Sequence, residues 1–126
     1  GGSKSKAGKF RIVPIHSAIQ SMVQRRMETY GRLLPMTSSE FRKQMTALIK
    51  HLGIQNIPKR TPHDCRHTFS WLCEKYEVAE NDRKRMMGHS FGSDITNRVY
   101  GHRDLEELRE QIEKIDTCDF YVTHGA

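Results

Sequence analysis

Apolar positions recur at helical spacing along most of this chain. Ile19, Met22, Val23 and Met27 predict a helix over about 17 to 29 with one apolar stripe, and Gly31 supplies its stop. Phe41, Met45, Leu48, Ile49 and Leu52 predict a second helix over about 38 to 52, closed by Gly53. It opens on Thr37-Ser38-Ser39-Glu40, where threonine and glutamate can each bond the other's backbone N–H. Thr61-Pro62-His63-Asp64 repeats that start signal, with proline at the first helical position. The helix it predicts runs over about 62 to 76, with Phe69, Leu72 and Tyr76 toward the core and Trp71 at their edge. Residues 79 to 87 predict a shorter helix ended by Gly88, with Met86 and Met87 as core. Ser93 or Asp94 can cap a short helix carrying Ile95, Val99 and Tyr100, after a turn over residues 90 to 93. Leu105, Leu108, Ile112 and Ile115 form the stripe of a last helix over about 104 to 116.

One stretch reads differently. KFRIVPI, Lys9 to Ile15, predicts a short strand that Pro14 ends, and Ser5-Lys6-Ala7-Gly8 before it reads as a turn. The expectation is one arm of a hairpin whose other arm lies before Lys6, and therefore a chain truncated at its N-terminus. Leu33-Leu34-Pro35-Met36 is expected as a loop tucked against the core. The fold class is mainly α (α+β): a helical domain with a small N-terminal β-hairpin remnant.

A chain of 126 residues is one domain, or a fragment of one. Lysine and arginine number 21 against 15 acids, a net charge of +6, which favours a polyanionic partner without requiring one. The charge is uneven: Lys4, Lys6, Lys9 and Arg11 stand with no acid, whereas residues 103 to 119 are strongly acidic. Two ends so different suggest two different partners. Cys65, Cys73 and Cys118 form no CxxC pair, so reduced thiols in the cytoplasm are expected. The eight-residue step from Cys65 to Cys73 places both near one helix face, where a zinc site with nearby histidines is a minor alternative. No apolar run approaches a membrane span, so no membrane partner is expected. Gly1-Gly2-Ser3 reads as a cloning scar.

The chemistry-bearing residues gather between 61 and 102. His63 and Arg66 are three apart and share a face at the first turn of a helix, where unpaired N–H groups favour an anion. Arg66 can clamp a phosphodiester through paired N–H bonds. His63 and His89 can bond phosphate oxygens or handle a proton. The Tyr100 hydroxyl can attack phosphorus if cationic neighbours favour its phenolate. Lys6, on a turn with a long stem, can protonate a leaving oxygen. Each also has a plainer use: a surface histidine at a helix start, a solvated arginine, a histidine supporting a helix C-terminus, a core tyrosine. Composition and spacing alone reach only a basic helical domain that suits nucleic acid.

The stretch TPHDCRHTF, then MGHS, then Tyr100 before Gly101-His102, resembles the C-terminal catalytic region of the tyrosine recombinases, the phage-integrase family. It is most similar to integrases of phages and conjugative elements of Gram-positive bacteria. Three separate motifs occur in family order, over most of the chain. The resemblance implies a helical catalytic-domain core and assigns roles to residues that match the motifs. His63 and Arg66 match the His-x-x-Arg box, His89 the histidine of the Leu-Gly-His box (here Met87-Gly88-His89), and Tyr100 the nucleophile. Lys6 is the choice for the hairpin lysine, with Lys4 and Lys9 as alternatives. The implied reaction is transesterification with neither cofactor nor metal. Tyr100 forms a 3′-phosphotyrosyl link, Arg66 clamps the non-bridging oxygens, His63 accepts a proton, His89 supports the phosphate and Lys6 is the general acid.

The implied partners are double-stranded DNA at specific attachment sites and further copies of the protein, a tetramer when two sites are joined. Lys59, Arg60, Arg83, Lys84 and Arg85 are candidates for DNA-backbone contacts. Leu105, Leu108, Ile112 and Ile115 are candidates for packing onto a neighbouring subunit or back onto their own. The implied location is the bacterial cytoplasm, with the nucleoid.

Two departures stand out. The interval from His89 to Tyr100 is eleven residues, longer than is common in the family. The family's first arginine, and its arm-binding and core-binding domains, have no counterpart in this sequence. Residues 4 to 126 are therefore expected to be the C-terminal part of a catalytic domain, inactive alone, with residues 103 to 126 as C-terminal helix and tail. A non-cleaving DNA-binding module and type IB topoisomerase-like relaxation are the alternatives. A purely structural role predicts instead that the histidines and arginines are buried and paired within the protein.

Overall fold

Cys73 has no solvent exposure, and three helices close around it. The structure, a computed structural model, describes residues 11–54, 61–89 and 104–118. In chain order the helices are α1 (Gln20–Tyr30, preceded by a single 3-10 turn over Ser17–Ile19), α2 (Ser38–His51), α3 (Pro62–Lys75), α4 (Glu80–Met87) and α5 (Leu105–Ile112). The described residues are mainly helical.

The core joins α3, α4 and α5. Cys73, Val78, Met86, Leu108, Ile112 and Ile115 are buried together, and Phe69, Leu72 and Tyr76 pack against them. Burying one large aliphatic side chain contributes about 1.5–3 kcal/mol. Exposed ion pairs contribute roughly 0–1 kcal/mol each. The apolar cluster therefore dominates the stability of this part, and the surface charges decorate it.

The helix ends follow the sequence signals. The Thr37 N–H donates to Glu40 Oε2 at 2.7 Å, and the Glu40 N–H donates to Thr37 Oγ1 at 3.2 Å. Asp104 and Glu107 make the same reciprocal pair at the start of α5, at 3.2 and 2.8 Å. Gly31 (φ 70°) and Gly88 (φ 75°) end α1 and α4 in the left-handed region, where a side chain is strained. At the α3–α4 corner that conformation falls on a non-glycine, Glu77 (φ 57°). The end of α5 and the turn after it buttress this corner: Lys114 Nζ donates to the Glu77 carbonyl at 3.4 Å, and Gln111 Oε1 accepts the Ala79 N–H at 2.9 Å.

The N-terminal segment docks on the far end of α5 through polar contacts. His16 Nε2 bonds the Ile115 carbonyl at 2.9 Å, while Nδ1 accepts the Ala18 N–H at 3.0 Å. Ser17 donates twice to Glu113, from N–H to Oε1 at 2.6 Å and from Oγ to Oε2 at 2.7 Å.

Several sequence expectations are corrected. The strand expected over Lys9–Ile15 is absent where it can be seen: residues 11–15 are irregular, and no strand occurs among the described residues. A strand needs a laddered partner, and none is present there. Pro14 is buried, but Ile12, Val13 and Ile15 are exposed. The Ser5–Gly8 turn lies outside the described residues, as do Lys4, Lys6 and Lys9 and the short helix expected to carry Tyr100.

On α1 only Val23 of the predicted stripe is buried; Ile19, Met22 and Met27 are exposed. Leu48 of α2 and Leu52 just after it are exposed too, and so are Leu33 and Leu34 of the loop expected to tuck inward. Periodicity gives a helix its apolar side but not the partner that covers it. Cys65 is exposed and Cys73 buried, so the two do not share a face. Eight steps of about 100° leave the second some 80° from alignment. Burial drives the Cys73 thiol pKa up to about 11.

The structure also resolves where the C-terminal stripe goes. Leu108, Ile112 and Ile115 are buried in the chain's own core, and only Leu105 is left partly exposed.

This asymmetry makes Ile112→Ala cost about 2–5 kcal/mol, against within about 0.5 kcal/mol for Leu105→Ala; urea denaturation measures both. Equal losses would mean that the stripe is not buried as described. The N-terminal dock is acid-sensitive. The Ser17 hydroxyl bond holds the Glu113 carboxyl below its ordinary pKa, helped by the Ser17 N–H and His16. A depressed folded pKa gives stability that is present above the unfolded value and lost as pH falls through the folded one. Glu113→Gln at neutral pH is expected to speed exchange of the Ser17 amide by roughly 2–12-fold, the equivalent of one hydrogen bond. An unchanged rate would mean that Glu113 does not hold this segment.

Candidate functional site

The site is built from the start of α3 and the end of α4. At α3, Pro62 takes the first helical position, and Asp64 reaches back to accept the Thr61 N–H at 2.6 Å. Asp64 also accepts from Thr61 Oγ1 at 3.5 Å. A carboxylate of the chain itself therefore already occupies part of the turn where the sequence suggested an external anion. His63, one residue on from the proline, is exposed. Its ring meets His67 one turn later, edge to face, with centroids 4.7 Å apart.

Arg66 leaves α3 in another direction. Its Nη2 donates to the Met87 carbonyl at 2.5 Å, across 21 residues of sequence. Met87 is the last residue of α4. Its carbonyl is among those that no helical N–H reaches, at the negative end of the helix dipole. A guanidinium there satisfies the acceptor and complements the charge. Gly88 then turns the chain left-handed, its N–H returning to the Arg85 carbonyl at 3.1 Å and that of His89 to the Lys84 carbonyl at 2.9 Å. This pair of bonds sets the direction in which the backbone leaves α4 and so positions His89.

His89 is exposed as a residue, yet partial shielding of its ring pulls its pKa below the ordinary histidine value. The positive charges of Arg66, Arg83 and Lys84 push it the same way. The imidazole is thus neutral at neutral pH, able to donate from one nitrogen and accept at the other. Arg66 and His89, called from separate motifs, lie in one electrostatic neighbourhood.

The cluster Arg83-Lys84-Arg85 is less superficial than its sequence suggests. Arg83 donates to Ser70 Oγ at 2.6 Å and pairs with Glu74 at 3.5 Å. Arg85 lies 3.3 Å from the buried Asp82, and its side chain is 12% exposed. Lys84 is the most exposed of the three, at 37%, and pairs with Glu80 at 3.2 Å. Consecutive residues on a helix diverge by about 100°, so Arg83 and Arg85 fall on either side of Lys84 and turn back toward partners at the packed side. Lys84 alone keeps the character expected of a surface cation.

Tyr100, Lys6, Lys59 and Arg60 lie outside the described residues. Among those described, the structure brings together Arg66, His89 and the α4 charges, and keeps His63 with His67. A purely structural role predicts burial and internal pairing for the whole polar set. Arg66 is internally paired but only half-buried, whereas His63 and His89 are exposed. Sequence reading assigned no role to His67 or Ser70. The four-residue step from His63 announces the first; nothing local announces the second, because its partner lies on the next helix.

The coupling of Arg66 to His89 can be measured. Removing the guanidinium in Arg66→Met is expected to raise the His89 titration midpoint toward the ordinary value, followed by the NMR shift of its ring protons. Arg66→Lys should raise it less. Because the folded pKa is the lower one, His89 opposes folding in acid: stability falls as pH drops below the unfolded value, and Arg66→Met should soften that fall. A midpoint that stays put or moves down would show that Arg66 does not act on this ring.

No protein-family model, no curated protein and no solved structure matches this chain.

Proposed function

We propose that this chain is the C-terminal part of a tyrosine recombinase catalytic domain, cutting and rejoining DNA through a 3′-phosphotyrosyl intermediate. The observation that carries the reading is the Arg66 side chain reaching from α3 to the Met87 carbonyl, beside His89. Two motifs separated by more than twenty residues thereby meet, as one phosphate site requires. The neutral His89 imidazole suits a hydrogen bond to a non-bridging oxygen. Arg66 carries the permanent charge that a phosphorane-like transition state needs.

In this reading Tyr100 attacks the scissile phosphorus. The bond to the 5′ oxygen breaks, and that oxygen takes a proton from Lys6. The phenolic proton passes to His63. Religation runs the same steps backward, with the 5′ hydroxyl of a partner strand as nucleophile, so no nucleotide is consumed. Lys84, with Lys59 and Arg60, supplies salt-sensitive contacts to the DNA backbone, and Arg83 and Arg85 set the shape of α4. The subunit contacts of the synaptic tetramer fall to surfaces other than Leu108, Ile112 and Ile115, which the core occupies.

A covalent-adduct assay tests this with nicked duplex DNA, on the chain and on any longer product of its reading frame that supplies the family's first arginine. The chain alone is expected to give no adduct; the expected result from the longer product is a denaturation-resistant protein–DNA band that Tyr100→Phe abolishes and that Arg66→Ala reduces by at least about a hundredfold, the scale of losing one transition-state donor. An adduct that persists in Tyr100→Phe removes Tyr100 as the nucleophile. Salt-dependent binding with no adduct from any form would instead make the protein a non-cleaving DNA-binding module. Relaxation of supercoiled DNA without joining of two sites would favour a type IB topoisomerase-like activity.

A further inference from the structure

His63 and His67 stand four residues apart on α3, both exposed, with ring centroids 4.7 Å apart and planes at 86°. Residues at this spacing lie one above the other on a single helix face. Two histidines so placed are a recurring means of presenting imidazole nitrogens to one metal ion. The distance fits that use. A metal–nitrogen bond of about 2.0–2.1 Å puts each ring centre about 3.2 Å from the ion, so bond angles of about 90–110° separate the centres by roughly 4.5–5.2 Å. The observed separation falls inside that range.

We propose that His63 and His67 form a two-histidine chelate for a divalent transition metal ion, with Cu2+ held most tightly and Ni2+ and Zn2+ following. The surroundings leave the pair available. Arg66, the cation between them in sequence, carries its guanidinium away to the Met87 carbonyl. Asp64 is committed to Thr61. No cluster of three or more His, Cys, Asp or Glu residues disposed to hold a metal occurs among the described residues. The site therefore offers two protein ligands and leaves the remaining positions to water. A bound ion ties the first turn of α3 to the second and occupies the lone pair of His63. The proposal concerns the protein without DNA and does not depend on the strand-cleavage reading.

Calorimetric titration with NiCl2 and with CuSO4, in a non-chelating buffer at neutral pH, tests it on the full chain. The expected result is one site tighter than the background from the five other histidines. His63→Ala and His67→Ala should each weaken that site by about tenfold or more, since either leaves a single ligand without the advantage of a tethered second one. His63→Ala combined with Trp71→His moves the pair one turn along the same face, using the exposed Trp71 position, and should restore the affinity. Circular dichroism confirms that each variant keeps its helix content. Absence of a distinct site in the wild type overturns the proposal. So does an affinity that neither single substitution lowers, or a folded double variant that fails to regain it.

Discussion

α3, α4 and α5 are held together by a thiol-centred apolar contact. α4 and α5 are each eight residues long, too short to hold as isolated helices in water. Their stability comes from the shared burial of Met86, Leu108, Ile112 and Ile115 around Cys73 on α3. That requirement fixes which residues of α4 face inward. It also decides which charges can face outward, and so why Arg83 and Arg85 are drawn into internal contacts while Lys84 keeps its exposure.

Arg66 links this packing to the proposed chemistry. One of its five N–H donors holds the end of α4, and that end launches the backbone toward His89. The arginine thus holds the helix end from which His89 departs, and adds its charge to the partial burial that lowers the histidine's pKa. A structural and a phosphate-binding use are compatible in one guanidinium, because a planar fork can serve a carbonyl with one arm and present the others elsewhere.

The helices were legible because their ends are written locally. Thr37 with Glu40 and the glycines at 31, 53 and 88 each act within a few residues and do in the structure what their positions imply, while of the Thr61–Asp64 pair only Asp64 reaches back, the Asp64 N–H going to the Thr61 carbonyl and not to its hydroxyl. The partners of the helices were not legible. Met22 and Met27 have the spacing of core residues, yet nothing local says what would cover them, and they are exposed. The strand expected over Lys9–Ile15 is not shown in its described part, residues 11–15, for the same reason: a strand is a relation between two segments, and one segment cannot specify it. Of the candidate site, the nearness of Arg66 to His89 could be anticipated only through the family resemblance. The ring contact of His63 with His67 follows from spacing alone.

The dock between Ser17 and Glu113 closes a loop of 96 residues, and His16 reaches Ile115 across 99. A ribosome emits residues 16 and 17 long before their acceptors exist. At about 5–20 residues per second the wait is of the order of 5–20 seconds, far longer than a helix needs to form. During that interval α1 can be helical but has no assigned place, and its exposed methionines meet whatever is nearby. The order of synthesis therefore makes the attachment of the N-terminal segment a late event, one that only the arrival of α5 permits.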